Sequence, residues 1–216
     1  MGRPIQAVKK HIEKDVAREL DERDMERMGI GELHWRAQFD LIPDGIIQKR
    51  VLARFIDSIQ EHVFEGRGLL FHGEYSSGKT AAACILMKEV VKRRGTAFYI
   101  SAMDLADAVI GRERFDADDT IAGRISKVDI LTLDELGGSH SDKSGWGVSY
   151  IEKVVRKRTA AKKSTICITN LPIKELAVEY GDGLLAIMGE CMFPVRFDGD
   201  WRKDKRDVLS QIFGDE

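Results

Sequence analysis

The residues best placed to do chemistry are Gly73-Glu74-Tyr75-Ser76-Ser77-Gly78-Lys79-Thr80, which fit the pattern G-x-x-x-x-G-K-[ST]. Glycines in such a loop let the backbone turn tightly, so that successive N–H groups converge on phosphate oxygens. The helix that follows adds the partial positive charge of its N-terminus. Lys79 has the reach for the β- and γ-phosphates of a nucleotide, Thr80 offers a hydroxyl to Mg²⁺, and Ala81 completes the candidate nucleotide-binding run. About fifty-five residues further on, Ile130-Leu131-Thr132-Leu133 reads as a strand that stops at two carboxylates, Asp134 and Glu135. The first suits the water shell of Mg²⁺, and the second suits general-base activation of an attacking water. A further apolar run, Thr165-Ile166-Cys167-Ile168-Thr169, ends at Asn170, an amide able to orient that water or to touch the γ-phosphate. Together these residues point to phosphoryl transfer from ATP to water, with ATP and Mg²⁺ as cofactors.

Such residues meet only if the strands that carry them lie side by side. Short apolar runs at Gly68 to His72, Thr96 to Ser101, Val128 to Leu133, Ser164 to Thr169 and Pro194 to Phe197 read as strands. Between them, 3.6-residue periodicity predicts helices over Thr80 to Arg94, Met103 to Ile110, residues 121 to 127 and residues 147 to 161, with a closing helix over 202 to 213. Alternation of strand and helix argues for an α/β fold, a parallel sheet with helices on both faces. Before the first strand, Ile47, Val51, Leu52, Phe55, Ile59 and Val63 predict one helix over 46 to 64. Ile5, Val8, Ile12, Val16 and Leu20 recur at three- or four-residue steps and predict another over about 5 to 28, ended by Gly29 and Gly31. The chain thus divides into a helical arm (1–28), a connector (29–45) and a nucleotide-binding core (46–216). The arm either packs its stripe on the core or docks on a partner protein.

On these motifs the chain resembles AAA+ ATPases of the DnaC/DnaI helicase-loader and IstB transposition-helper group, over roughly residues 28 to 213. Gly-Leu-Leu-Phe-His-Gly leading into the phosphate loop, Lys-Val-Asp-Ile-Leu-Thr-Leu-Asp-Glu-Leu-Gly and Ile-Thr-Asn-Leu carry the resemblance. It implies a P-loop NTPase (AAA+) fold with a short N-terminal helical arm and little or no C-terminal lid domain. It implies Walker A at Lys79 and Thr80, Walker B at Asp134 and Glu135, and sensor 1 at Asn170. Asp198-Gly199-Asp200-Trp201-Arg202 is similar to the group's closing stretch, which makes Arg202 the arginine near the nucleotide, and Arg158 matches another arginine of the group. The implied partners are a replicative ring helicase, single-stranded DNA and further copies of the chain; a transposase is the alternative, and a nucleotide-dependent adaptor with little hydrolysis is a second. Three departures stand out. Ser76 occupies a loop position that is usually glycine, residues 184 to 190 lack the group's trans-acting arginine, leaving Arg196 or Arg206 as substitutes, and the arm is short.

Composition narrows the surfaces. Asp and Glu number 36 against 34 Lys and Arg in 216 residues, a net charge of −2 that excludes a wholly basic nucleic-acid coat but not a local basic face. Lys153, Arg156, Lys157, Lys162 and Lys163 form such a cluster, which reads either as a DNA-binding patch or as a solvated helix face. The glycine-rich stretch from Gly137 to Gly147, with Trp146, reads as a mobile loop, and His140 within it has no part in this chemistry. Cys84, Cys167 and Cys191 stand far apart in apolar runs, as expected of buried thiols, and no signal core or membrane-length apolar stretch is present. A soluble, cytoplasmic chain is expected.

Overall fold

The computed structural model describes residues 18–110, 121–137 and 146–199. Five strands, β1 (Gly68–Gly73), β2 (Ala97–Ser101), β3 (Ile130–Leu136), β4 (Ser164–Thr169) and β5 (Met192–Phe197), form one sheet in the order β2-β3-β4-β1-β5. Every neighbouring pair is parallel, so each connection crosses over a face of the sheet and both faces are covered. The period of two along each strand divides the side chains cleanly. Leu69, Phe71, Ile166, Ile168 and Phe197 enter one core with α1 (Glu22–Met28), α2 (Ile47–Asp57), α3 (Ile59–Glu65) and α4 (Lys79–Lys92). Leu70, Leu131, Leu133 and Cys167 enter the other with α5 (Ala102–Ile110), α6 (Ile121–Lys127), α7 (Trp146–Ala160), α8 (Ile173–Tyr180) and α9 (Asp182–Cys191). The expected α/β architecture is therefore present. No helix among the described residues is long and apolar enough to cross a membrane.

Three elements differ from the expectation. Helix α1 begins only at Glu22, where Asp21 caps it: Asp24 N donates to Asp21 Oδ1 at 2.9 Å and Asp21 N donates back to Asp24 Oδ2 at 3.1 Å. This reciprocal cap satisfies helix-start donors that a longer helix would have used internally. Met25 and Met28 then bury in the same core as α4, and Ile30 follows them. The helix expected over 46 to 64 is two helices, broken at Ser58 (φ −117°, ψ 27°). The apolar stripe hides the break, because α2 and α3 both face the same core. Strand β3 does not stop at its carboxylates; it runs through them to Leu136, with an irregularity in its pairing to β4 between Leu133 and Leu136. The start of the arm (residues 1–17), His140 with most of its loop, Arg202, Arg206 and the closing helix expected over 202 to 213 lie outside the described residues.

The connector is an irregular run with short 3₁₀ turns at Glu32–His34 and Phe39–Leu41. What fixes it is a lysine from α4. Lys88, only 6% exposed, donates from Nζ to the carbonyl oxygens of His34 (2.8 Å), Trp35 (2.8 Å) and Ala37 (2.9 Å). Burial pulls the pKa of this ammonium down, and the three carbonyls supply the acceptors it needs away from water.

Candidate nucleotide site

The phosphate loop hangs between the end of β1 and the start of α4, at the edge of the sheet where the parallel strands finish. Gly73 is required on two counts. Its φ is +134°, and a Cβ there would lie 2.0 Å from the Phe197 carbonyl oxygen on β5. Gly78, at φ +87°, turns the chain into α4. Ser76 does not escape the conformation of the glycine it replaces: it sits at φ +60°, in the left-handed region. Ser77 is fully buried and its hydroxyl donates to the Glu74 carbonyl oxygen at 2.7 Å, bracing the loop from inside. Glu74 and Tyr75 point outward and are exposed.

Lys79 is folded back into this cradle. Its Nζ donates to the carbonyl oxygens of Gly73 (2.9 Å) and Glu74 (2.5 Å) and to Ser77 Oγ (3.2 Å), and burial lowers its pKa. Next to it, Thr80 Oγ1 donates to Asp134 Oδ2 at 2.8 Å, so the hydroxyl and the carboxylate expected to share a metal ion are already in contact. Asp134 is 3% exposed and takes two more hydrogen bonds, from Tyr99 OH to Oδ2 at 3.0 Å and from Glu135 N to Oδ1 at 2.7 Å. The strand irregularity separates the two acids: Asp134 is buried, while Glu135, at φ +60°, is exposed. A hydroxyl oxygen and a carboxylate oxygen beside a phosphate cradle are the hard donors that Mg²⁺ takes together with waters and phosphate.

The remaining expected residues sort by place. Asn170 follows β4 directly, and β4 lies between β1, which carries the loop, and β3, which carries the acids. Thr169 Oγ1 fastens that corner by donating to the Leu136 carbonyl oxygen at 2.7 Å and accepting from Leu171 N at 3.0 Å. Arg158 is elsewhere, 2% exposed at the opposite edge, where the strands begin. Its guanidinium donates to the carbonyl oxygens of Ile125 (2.5 Å), Val128 (3.1 Å) and Ser164 (2.5 Å) and to Thr165 Oγ1 (3.0 Å). Burial draws its pKa down to about 10, which leaves it charged at neutral pH. Helix α9 carries no arginine, and Arg196 on β5 is 72% exposed and paired with Asp198 at 2.8 Å. The basic cluster also divides. Lys153, Arg156 and Lys157 are exposed along α7, with Arg156 paired to Glu152 at 2.6 Å, whereas Lys162 and Lys163 lie in the turn before β4.

Tyr99 is the site residue that sequence reasoning missed. Its signal was faint: a hydroxyl one residue from the apolar neighbours Phe98 and Ile100, in a strand whose Ser101 aligns with Asp134. Burial and the Asp134 carboxylate both push its pKa upward, so it stays a neutral donor.

A parallel sheet with this loop after a central strand and paired acids on the next strand but one defines a P-loop nucleotide-binding protein of the AAA+ class. The chain belongs to the family of IstB-like ATP-binding proteins, which it matches over residues 7–189. Among solved structures it is similar to the DnaC helicase loader, at 22% identity and a TM-score of 0.68, over 78% of this chain and 100% of that one. It is also similar to DnaI, at 18% identity and a TM-score of 0.67, over 84% of this chain and 100% of that one. The replication initiator DnaA bound to AMPPCP and single-stranded DNA matches at 16% identity and a TM-score of 0.64, over 86% of this chain and 58% of that one. These likenesses establish the fold. No curated protein sequence matches the chain.

Proposed function

We propose that the chain is an ATP-dependent loader or regulator of a replicative ring helicase on single-stranded DNA, using ATP binding and hydrolysis as its switch. The observation that carries the ATP chemistry is the 2.8 Å contact between Thr80 Oγ1 and Asp134 Oδ2 beside the phosphate loop. In this reading the residues from Gly73 to Ala81 hold the phosphates through loop amides, and Lys79 exchanges its loop carbonyls for the β- and γ-phosphate oxygens. Thr80 and Asp134 hold Mg²⁺, which when bound neutralises charge on the phosphates. Glu135, exposed toward solvent, takes the proton of the attacking water, Asn170 orients that water, and Arg202 contacts the nucleotide. Hydrolysis by the isolated chain is slow, since no arginine stands in α9 to stabilise the transition state of a neighbouring copy. The partner is argued from the extent of the match to the DnaC helicase loader, whose whole length is covered.

The test is ATP turnover by wild type, Lys79→Ala and Glu135→Gln, with and without single-stranded DNA, at concentrations that permit self-association. Lys79→Ala is expected to lose ATP binding, and Glu135→Gln to bind ATP while turning over at least roughly 10²-fold more slowly. Failure of the wild type to bind ATP would remove the core of the reading. The family match over residues 7–189 favours a second reading, an ATPase that assists a DNA transposase. Capture of a ring helicase, against capture of a transposase, by the full chain separates the two. ATP binding with no turnover under any condition would leave an adaptor.

A further inference from the structure

At the edge of the sheet where the strands begin, opposite the phosphate loop, the ends of α3, α4 and α7 surround a groove of about 1010 Å³. Its lining includes the apolar Ile59, Val63 and Val90, and the ring of Phe64 stands in it 63% exposed. Arg93, Arg94, Lys162 and Lys163 also line it, against two acids, Glu65 and Asp129. Most of these charges are spoken for: Arg93 pairs with Glu89, Lys163 with Asp129 at 2.9 Å, and Glu65 with Arg67 at 2.6 Å. Arg94 and Lys162 are exposed and have no ion-pair partner among the described residues.

The backbone singles out the same two cations. Among the described residues, four that are not glycine have positive φ: Ser76 (60°), Glu135 (60°), Arg94 (64°) and Lys162 (52°). The first two belong to the nucleotide site. The other two both open onto this groove, each in a turn that leads from a helix into a strand. In the turn from α3 into β1 the left-handed residue is Gly66, at φ 74°. An L residue in this conformation costs roughly 1 kcal/mol that glycine would avoid. A cation near a helix C-terminus is favourable, but Arg93 and Lys163 already provide one beside each turn. Strain of this kind persists where something outside the turn is gained from it.

We infer that the groove binds the phosphate backbone of single-stranded DNA, with Arg94 and Lys162 on phosphates and Phe64 as a stacking face for a base. An exposed ring beside unpaired cations is what a single strand uses, because its bases have free faces while those of a duplex do not. An acidic peptide would use the cations and leave the ring idle. The choice of DNA as the polyanion rests on the proposed reading of the chain as a DNA-acting ATPase. It also reassigns part of the basic cluster: Lys162 acts with Arg94 across the groove, not with Lys153, Arg156 and Lys157 along α7.

The experiment is fluorescence anisotropy of a labelled oligo-dT with the full chain over a series of salt concentrations. The double variant Arg94→Gly/Lys162→Gly removes both charges and relieves both turns. It is expected to melt no lower than wild type, to bind oligo-dT roughly tenfold or more weakly, and to reduce the slope of log K against log salt by about 1.4. Phe64→Ala is expected to weaken binding by roughly tenfold with little change in that slope. Undiminished affinity in the double glycine variant overturns the inference, as does binding lost in Lys153→Ala/Lys157→Ala instead. Equal competition by polyglutamate assigns the groove to acidic proteins and likewise overturns it. If wild type binds no oligo-dT the groove proposal fails alone, since the loader reading stands or falls on ATP turnover and helicase capture.

Discussion

Three donors converge on one carboxylate at the centre of the nucleotide site, and only one of them belongs to the phosphate loop. Thr80 and the Glu135 amide reach Asp134 from positions its own motifs prescribe, whereas Tyr99 reaches it from β2. Losing a hydrogen bond to a charged group costs about 1.5–3 kcal/mol. Tyr99→Phe is therefore expected to weaken the Mg²⁺-dependent part of ATP affinity roughly tenfold or more and to leave ATP binding in EDTA unchanged. Titration of a fluorescent nucleotide at several Mg²⁺ concentrations measures both, and a variant as responsive to Mg²⁺ as wild type would show that the Tyr99 bond to Asp134 has no part in metal binding. Lys79, Thr80 and Asp134 were legible because their partners follow from spacing along the chain. Tyr99 was not, because its role arises from the pairing of Ser101 with Asp134 across two strands. Ser76 was legible as an anomaly, and the loop resolves it by keeping the left-handed turn.

The elements were legible wherever burial alternated with exposure at a single period. Strands β1 and β4 and helix α6 fall where periodicity puts them, since each presents one unambiguous pattern to the core. The errors came where a local hydrogen bond or a dihedral angle cut across a continuing pattern. At α1 the cut is the reciprocal cap, and its residues make an acid-sensitive joint. Arg18 donates to both oxygens of Asp24, at 2.6 and 2.7 Å, and these bonds hold the carboxyl at about 2, below its ordinary value. A carboxyl depressed on folding contributes its full stabilisation above about pH 4 and loses it as pH falls through about 2. Asp24→Asn should thus cost about 1 kcal/mol at pH 7 and much less near pH 2, where about half of the wild-type carboxyls are already protonated. Urea denaturation at the two pH values checks this; an equal cost at both would mean that the carboxylate charge contributes nothing.

At the scale of the whole molecule, the two edges of the sheet have different work. The strand-end edge gathers the phosphate loop, the buried Asp134 carboxylate and Asn170, while the strand-start edge is pinned by the buried guanidinium of Arg158. Arg158→Ala would leave several carbonyls in the interior without a donor, and each unmet group costs about 1–3 kcal/mol. A loss of roughly 3 kcal/mol or more in denaturant unfolding is expected, with ATP affinity of the folded fraction unaltered because the nucleotide site lies across the sheet. A variant that keeps its stability but loses ATP would place Arg158 in nucleotide binding after all. One element spans both concerns. Helix α4 begins at Lys79 in the phosphate cradle and, nine residues later, grips the connector through Lys88. The two lysines are rooted on one unbroken rod, their backbone positions about 13 Å apart along its axis. A rod without a joint cannot absorb a displacement, so any tilt or slide imposed when Lys79 leaves its carbonyls is delivered undamped to the segment that joins the N-terminal arm.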